Sequence, residues 1–104
     1  MRRIKRRYLL IYDLLNEKRD LEKEFLEKYL RIFGEVNLIR SEIKFLKLKN
    51  GFSLISFRKE FKDNVLACLS IVDGVVSLRI CGTIRKGRKV MKEWSSKLWD
   101  MIGQ

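Results

Sequence analysis

The pair Asn50-Gly51 constrains the fold of this chain more than any other feature, because it is the strongest short-range signal for a β-hairpin. A type I′ turn needs a positive φ at both central positions, and Asn and Gly both tolerate it. Apolar residues alternate with lysines over 43–49, and a second strand-like run follows over 52–58. The sequence therefore predicts two neighbouring antiparallel strands in the middle of the chain.

Helix-like and strand-like segments flank this hairpin on both sides. Apolar residues recur at helical spacing before Gly34 and again before Asp73-Gly74, and both sites are natural helix stops. Asn16 is the expected N-cap of the first helix, while the pattern assigns no conformation to 35–42. Strands are predicted over 8–15, 43–49, 52–58 and 75–84, and helices over 17–33, 61–72 and 85–102.

This order, βαββαβ followed by one more helix, predicts an α+β fold of the ferredoxin-like or RRM-like kind. Two helices would pack on one face of a four-stranded antiparallel sheet with strand order 4-1-3-2. The chain has 104 residues, and we expect it to form a single domain, 1–104, with a basic N-terminal arm over 1–7. Many activities share this fold, so it does not define a function by itself.

Positive charge is concentrated in two short blocks. The chain has 24 Lys and Arg residues against 13 Asp and Glu residues, which gives a formal net charge of +11. Residues 1–7 and residues 85–92 each contain five cations and no acidic residue, whereas 8–84 is nearly balanced. A field concentrated in this way attracts polyanions and speeds their encounter. Nucleic acid is the first partner class that this predicts, and an anionic membrane surface is the second.

The second basic block begins at a bend. An apolar strand-like run breaks at Gly82-Thr83, and four cations follow at once: Arg85, Lys86, Arg88 and Lys89. Gly lets the backbone approach a ligand closely, and the start of a helix favours an anion. This corner therefore suits a phosphate backbone, although a strand-to-helix turn with solvated charges would show the same pattern.

Other functional classes have weak signals. The chain has no His, and Cys68 and Cys81 fit neither a disulfide framework nor the spacing of a zinc site, so both are expected to be buried. We therefore predict neither a catalytic nor a metal site in the protein itself. No apolar run approaches the roughly 20 residues that span a bilayer. Residues 1–15 resemble a signal peptide, but Asp13 interrupts them, and a cytoplasmic location is expected.

A loose match to an RNA-recognition motif lies on the third predicted strand, in the run Asn50-Gly51-Phe52-Ser53-Leu54-Ile55-Ser56-Phe57. Such domains stack bases on aromatic residues at this strand. Asn50 replaces a basic residue of the consensus, and Leu54 replaces a stacking aromatic residue. Phe52 and Phe57 fall on opposite faces of a strand, so at least one of them is expected in the core.

Other aromatic residues leave this alternative open. Tyr8 and Tyr12 share one face of the first strand and could assist stacking. Trp94 and Trp99 of the last helix need burial, and that helix could cover the same face. One alternative function is therefore a stand-alone single-stranded RNA-binding protein of the RRM kind, whose binding would collapse on Phe52→Ala. A regulatory or assembly module with a small-molecule or protein ligand is another.

Five short runs together resemble one protein family. They are Arg7-Tyr8-Leu9-Leu10, Ile32-Phe33-Gly34-Glu35, Leu54-Ile55-Ser56-Phe57-Arg58, Ala67-Cys68-Leu69 and Gly82-Thr83-Ile84-Arg85-Lys86. In this order and spacing the chain resembles the component 2 protein family of archaeal ribonuclease P, which includes a eukaryotic ribonuclease P/MRP subunit. The last run is the most specific, and Cys81 stands where that family usually has Ser.

The resemblance implies a protein cofactor of a catalytic RNA. That RNA removes the 5′ leader of precursor tRNA with bound magnesium, and the protein binds no cofactor itself and meets precursor tRNA only indirectly. The family member pairs with a barrel-fold protein subunit, often as a 2:2 assembly, and no membrane contact is implied. The last helix, which carries the tryptophans, is the candidate contact for this protein partner.

RNA-binding residues are expected in both basic blocks, close together in space. Gly82 and Thr83 would shape the corner between strand and helix. The expected RNA-binding residues are Arg85, Lys86, Arg88 and Lys89, with a second set formed by Arg2, Arg3, Lys5, Arg6 and Arg7.

Overall fold

Strands and helices alternate along the chain in the computed structural model, which describes residues 5–15 and 20–102, with side chains described as far as residue 97. A short 3₁₀ turn, Lys59–Phe61, leads into the second α-helix. The elements are β1 (Arg6–Asp13), α1 (Leu21–Ser41), β2 (Lys44–Lys47), β3 (Phe52–Arg58), α2 (Lys62–Ser70), β4 (Val75–Cys81) and α3 (Ile84–Ile102).

The four strands form one antiparallel sheet in the order β2-β3-β1-β4, so the predicted fold class and strand order are confirmed. The hairpin between β2 and β3 turns at Asn50 (φ 59°) and Gly51 (φ 83°), as a type I′ turn requires. β1 and β3 are the two central strands. Each is therefore hydrogen-bonded on both sides, and residues of both are buried on both faces of the sheet.

Helix α1 differs from the prediction at both ends. Its N-cap is Asp20, whose carboxylate accepts a hydrogen bond from the backbone N–H of Lys23 at 3.1 Å. The predicted cap, Asn16, lies outside the described residues. Gly34 interrupts the helix, as predicted, with a non-helical φ of 86° and ψ of 169°, but a further helical segment follows as far as Ser41. Glu42, at φ 48°, ends that segment in the left-handed region.

Apolar side chains form a separate core on each face of the sheet. The first core lies under α1 and α2 and contains Leu9, Ile11, Phe25, Tyr29, Ile55, Phe57, Val65 and Cys68 among its buried residues. The second core lies under α3 and contains Leu10, Phe52, Leu54, Cys81 and Val90. Phe52 and Phe57 therefore do lie on opposite faces, and both are buried. The sheet is a central layer with helices on both sides.

Both cysteines are buried free thiols, as the sequence predicts. Burial raises the pKa of the Cys68 thiol to about 11, an effect that the positive charge of Lys28 partly offsets. Burial also raises the pKa of the Cys81 thiol, against the opposing charges of Arg79 and Lys86. A thiol whose pKa is raised stays protonated and unreactive at neutral pH.

Candidate nucleic-acid interface

The corner between β4 and α3 is built by Thr83. Strand β4 ends at Cys81, three residues before the predicted end, and Ile84 is already helical. The Thr83 hydroxyl accepts a hydrogen bond from the backbone N–H of Lys86 at 3.1 Å, and its carbonyl accepts one from Gly87 at 3.1 Å. Thr83 is therefore the N-cap of α3, and the cap is why the strand stops early. These two hydrogen bonds are how Thr83 holds the corner between β4 and α3.

Five cations of α3 form one exposed surface, which we call the α3 basic surface. Its members are Arg85, Lys86, Arg88, Lys89 and Lys92. They line an open depression of about 800 Å³ together with Thr83 and Ile84. None of the residues that line it is acidic. Free N–H groups of the first helical turn lie at the same place, so side-chain charge and the helix dipole both favour an anion.

Gly87 lets this surface lie close to the sheet. It is buried, and a Cβ atom built on it would come within 2.8 Å of Leu54 Cδ2 and 3.0 Å of Cδ1. Leu54 is fully buried in the second core. A residue with a side chain at position 87 would therefore push the first turns of α3 away from β3.

The described part of the N-terminal basic block, Lys5, Arg6 and Arg7, lies at the same end of the sheet. β1 and β4 are antiparallel, and Tyr8 pairs with Cys81, so the start of β1 lies beside the Gly82-Thr83 corner. The carbonyl of Lys5 accepts a hydrogen bond from the N–H of Lys59, the residue after β3, at 2.9 Å. Arg2 and Arg3 lie outside the described residues. The structure thus places Lys5, Arg6 and Arg7 at the same end of the sheet as the α3 basic surface.

Arg6 and Arg7 lie on opposite faces of β1. Arg6 shares the α3 face with Tyr8, whereas Arg7 shares the α1/α2 face with Leu9. The Arg6 guanidinium donates to Ser56 Oγ at 2.9 Å and to the Glu42 carbonyl, and it pairs with the Glu42 carboxylate at 3.8 Å. Part of its charge is therefore compensated. Of the two arginines, only Arg6 faces the same side as the α3 basic surface.

The sheet face that would stack bases in an RRM is largely covered. Helix α3 packs on it, and Phe52 is only 2% exposed, with its ring 4.9 Å from that of Tyr12. Trp94 packs half-buried at the edge of the same core, which confirms that the last helix covers this face. The side chain of Trp99 lies outside the described residues. Phe52 is therefore not available to a base.

Several contributing residues were not singled out from the sequence. Lys44 is exposed on β2 and lines a cleft at the open end of this face together with Arg6 and Ser56. The alternation of lysines over 43–49 indicates a strand that contains Lys44, but it does not show that Lys44 pairs with Ser56 of β3. Gly87 had no signal, because a glycine inside a basic helix start looks like one more surface residue.

Two kinds of feature are absent from the described residues. No described helix is both long and apolar enough to cross a membrane. No three or more His, Cys, Asp or Glu side chains come together within the described part of the chain as a group that could hold a metal ion.

Comparison with known proteins gives a likeness in structure alone. No protein-family model matches the sequence, and no curated protein is significantly similar to it. A chain in the cryo-EM structure of yeast ribonuclease MRP superposes with a TM-score of 0.54 at 14% sequence identity. The match covers 96% of this chain and 95% of that one. At this identity the likeness shows a shared fold along nearly the whole chain.

Proposed function

We propose that this protein is a subunit of a ribonuclease P or MRP-type ribonucleoprotein that binds the catalytic RNA and supports removal of the 5′ leader from precursor tRNA. The observation that carries the proposal is the α3 basic surface. It is exposed, it has no acidic lining residue, and it begins at the Gly82–Lys86 run on which the family resemblance chiefly rests. A surface of this kind binds phosphates without reading base sequence.

Charge placement supports a role in holding folded RNA. Strands of a folded RNA repel one another through their phosphates, and cations that lie between them reduce this repulsion. The α3 basic surface and Arg6 lie at one end of the same sheet face, so one RNA segment can contact both. The protein would then lower the magnesium concentration that the RNA needs to hold its active conformation.

The similarity in fold to a chain of yeast ribonuclease MRP supports this proposal, because the family that the sequence resembles includes a ribonuclease P/MRP subunit. We further propose the partners that the family resemblance implies, namely the catalytic RNA and a barrel-fold protein subunit, in a 2:2 assembly. We assign the magnesium ions to the RNA, and the location to the cytoplasm.

Reconstitution of the holoenzyme tests the proposal. Cleavage of a precursor tRNA by the cognate RNA and the remaining protein subunits is measured at limiting magnesium, with and without this protein. We expect the protein to raise the cleavage rate at low magnesium and to show no cleavage on its own. A rate that is independent of the protein at every magnesium concentration would refute the proposal.

Two charge variants make this experiment specific. Replacing the α3 basic pair, Arg85 and Lys86, by alanine should raise the magnesium requirement. The α1 control pair, Arg31 and Arg40, is also exposed, and its replacement by alanine changes the net charge equally. It should leave the magnesium requirement unchanged, because α1 lies on the opposite face of the sheet from α3. Equal effects of both variants would mean that net charge alone matters.

A further inference from the structure

A cleft remains open at one end of the sheet face that α3 covers. We call it the Tyr8 cleft, and it has a volume of about 400 Å³. Its lining includes Arg6, Tyr8, Lys44, Leu54, Ser56 and Ile84. Helix α3 begins only at Ile84. Of the two tyrosines on this face of β1, Tyr8 lines the cleft, whereas Tyr12 packs beside Phe52 further along the face.

The floor of the Tyr8 cleft is apolar and includes an aromatic ring. Leu54 is fully buried beneath it, the Tyr8 side chain is half-buried, and Ile84 is 39% exposed at its edge. RNA-binding proteins hold unpaired bases by stacking them on such side chains, because every base has a flat π-face.

The rim of the cleft is polar and positively charged. Arg6 is fixed there by its hydrogen bond to Ser56 Oγ at 2.9 Å and by its contacts with Glu42. The Ser56 hydroxyl accepts from Arg6, so its own proton is left to donate to a base edge. Lys44 is exposed at the rim, and none of the described lining residues is acidic.

The cleft is continuous with the α3 basic surface. Ile84 lines both the Tyr8 cleft and the depression over Arg85, Lys86, Arg88 and Lys89. A nucleotide with its base in the cleft would therefore have its phosphate beside the first turn of α3. Stacking in the cleft and charge on the helix would act on the same nucleotide.

We propose that the Tyr8 cleft binds one unpaired nucleobase of an RNA strand whose phosphates lie on the α3 basic surface. This inference rests on the proposed RNA-binding function and adds a base contact to a surface that otherwise binds only phosphates. Such a contact would direct the protein to a bulge or loop of a folded RNA rather than to a continuous duplex.

The test compares a short oligouridine with an abasic oligomer of the same length, which keeps the phosphates and lacks the bases. Affinities are measured for the wild-type protein, Tyr8→Leu and Tyr8→Phe. Tyr8→Leu should weaken binding of the oligouridine by about fivefold to 100-fold and leave binding of the abasic oligomer unchanged. Tyr8→Phe keeps the ring and should stay within about twofold of wild type.

Tyr12→Leu is the matched control, because it removes an aromatic ring from the same strand face at a position that does not line the Tyr8 cleft. It should not alter the affinity for oligouridine. The wild-type protein gives a readout that needs no variant: oligouridine should shift the methyl NMR signals of Leu54 and Ile84, and the abasic oligomer should not shift Leu54. Urea unfolding curves verify that each variant is folded.

The inference is overturned if oligouridine and the abasic oligomer bind wild type equally, or if Tyr8→Leu weakens both to the same degree. A Tyr8→Leu variant that binds RNA normally but no longer joins the other protein subunits would also overturn it, as the cleft would then contact protein. The proposed function fails separately, when the α3 basic pair can be replaced with no loss of RNA affinity or of magnesium-limited activity.

Discussion

Replacing Gly87 by alanine is expected to destabilise the protein, although alanine is the better helix former. The new Cβ would lie 2.8 Å from Leu54 Cδ2, whereas carbon atoms in good contact lie about 3.5–4.0 Å apart. Either α3 or Leu54 must therefore move by roughly 0.7 Å or more. Leu54 is fully buried in the second core, so a shift of its side chain disturbs the packing of that core.

Two opposing terms set the size of the effect. Overpacking of a core costs about 1–3 kcal/mol, and the change from glycine to alanine inside a helix gains about 1 kcal/mol. The net loss of unfolding free energy should therefore be on the order of 1 kcal/mol, which corresponds to about 4–8 °C in Tm. Urea unfolding followed by the fluorescence of the α3 tryptophans measures it.

A double-mutant cycle with Leu54→Ala tests the cause directly. Leu54→Ala alone should cost about 2–5 kcal/mol, because it leaves a cavity in the second core. In that background the Cβ at position 87 has room, so Gly87→Ala should become stabilising by about 1 kcal/mol. The difference between Ser96→Gly and Ser96→Ala, at an exposed position of the same helix, reports the glycine-to-alanine propensity gain alone. A Gly87→Ala variant that is stabilised in both backgrounds would show that close approach of α3 to Leu54 does not constrain this position.

Three further predictions follow from the same structure. Thr83→Ala should lower the unfolding free energy by about 1 kcal/mol in urea unfolding, since it removes the cap of α3. Thr83→Ser keeps the capping hydroxyl and should retain most of the wild-type stability. A Thr83→Ala variant as stable as wild type would contradict the capping role. Burial raises the pKa of the Cys68 thiol from 9.0 to about 11. Above pH 9 the thiol therefore ionises in the unfolded chain before it ionises in the folded protein. The free energy of unfolding should fall as the pH rises from 9 toward 11. Cys68→Ala should flatten that pH dependence, and an unchanged dependence would argue against the shift. Replacement of the α3 basic pair should reduce the slope of log K against log salt for RNA binding by about 1.4–1.8, while the α1 control pair leaves the slope as it is.

The fold was predictable at positions where a turn or a helix stop needs a positive φ that few residue types adopt. Asn50-Gly51 satisfies a turn with two positive φ values, and the structure has that turn. Gly34 interrupts α1 for the same physical reason. The segment after Gly34 could not be assigned, because Val36 and Ile39 are 67% and 68% exposed and so break the pattern of a helix with one buried face.

The candidate site was predictable in its charges but not in its shape. The cations of 85–92 can be read directly from the sequence. The early end of β4 was missed because Cys81 and Ile84 both fit a strand, and the cap at Thr83 outweighs that preference. The pairing of Arg6 with Glu42 joins residues 36 positions apart, and the close approach of Gly87 to Leu54 depends on how α3 crosses the sheet. Both are tertiary effects that local pattern does not contain.

The central place of β1 has a consequence for how the protein is made. Its partners are distant in sequence, since Tyr8 pairs with Ser56 on one side and with Cys81 on the other. β1 leaves the ribosome before both of its partners and must wait for them, and such non-local pairing slows folding. Until then Leu9, Leu10 and Ile11 form an exposed apolar segment that is prone to aggregate. Arg6 and Arg7 precede this stretch, separated from it by Tyr8, and charges that flank an apolar strand oppose aggregation of a chain that is still incomplete.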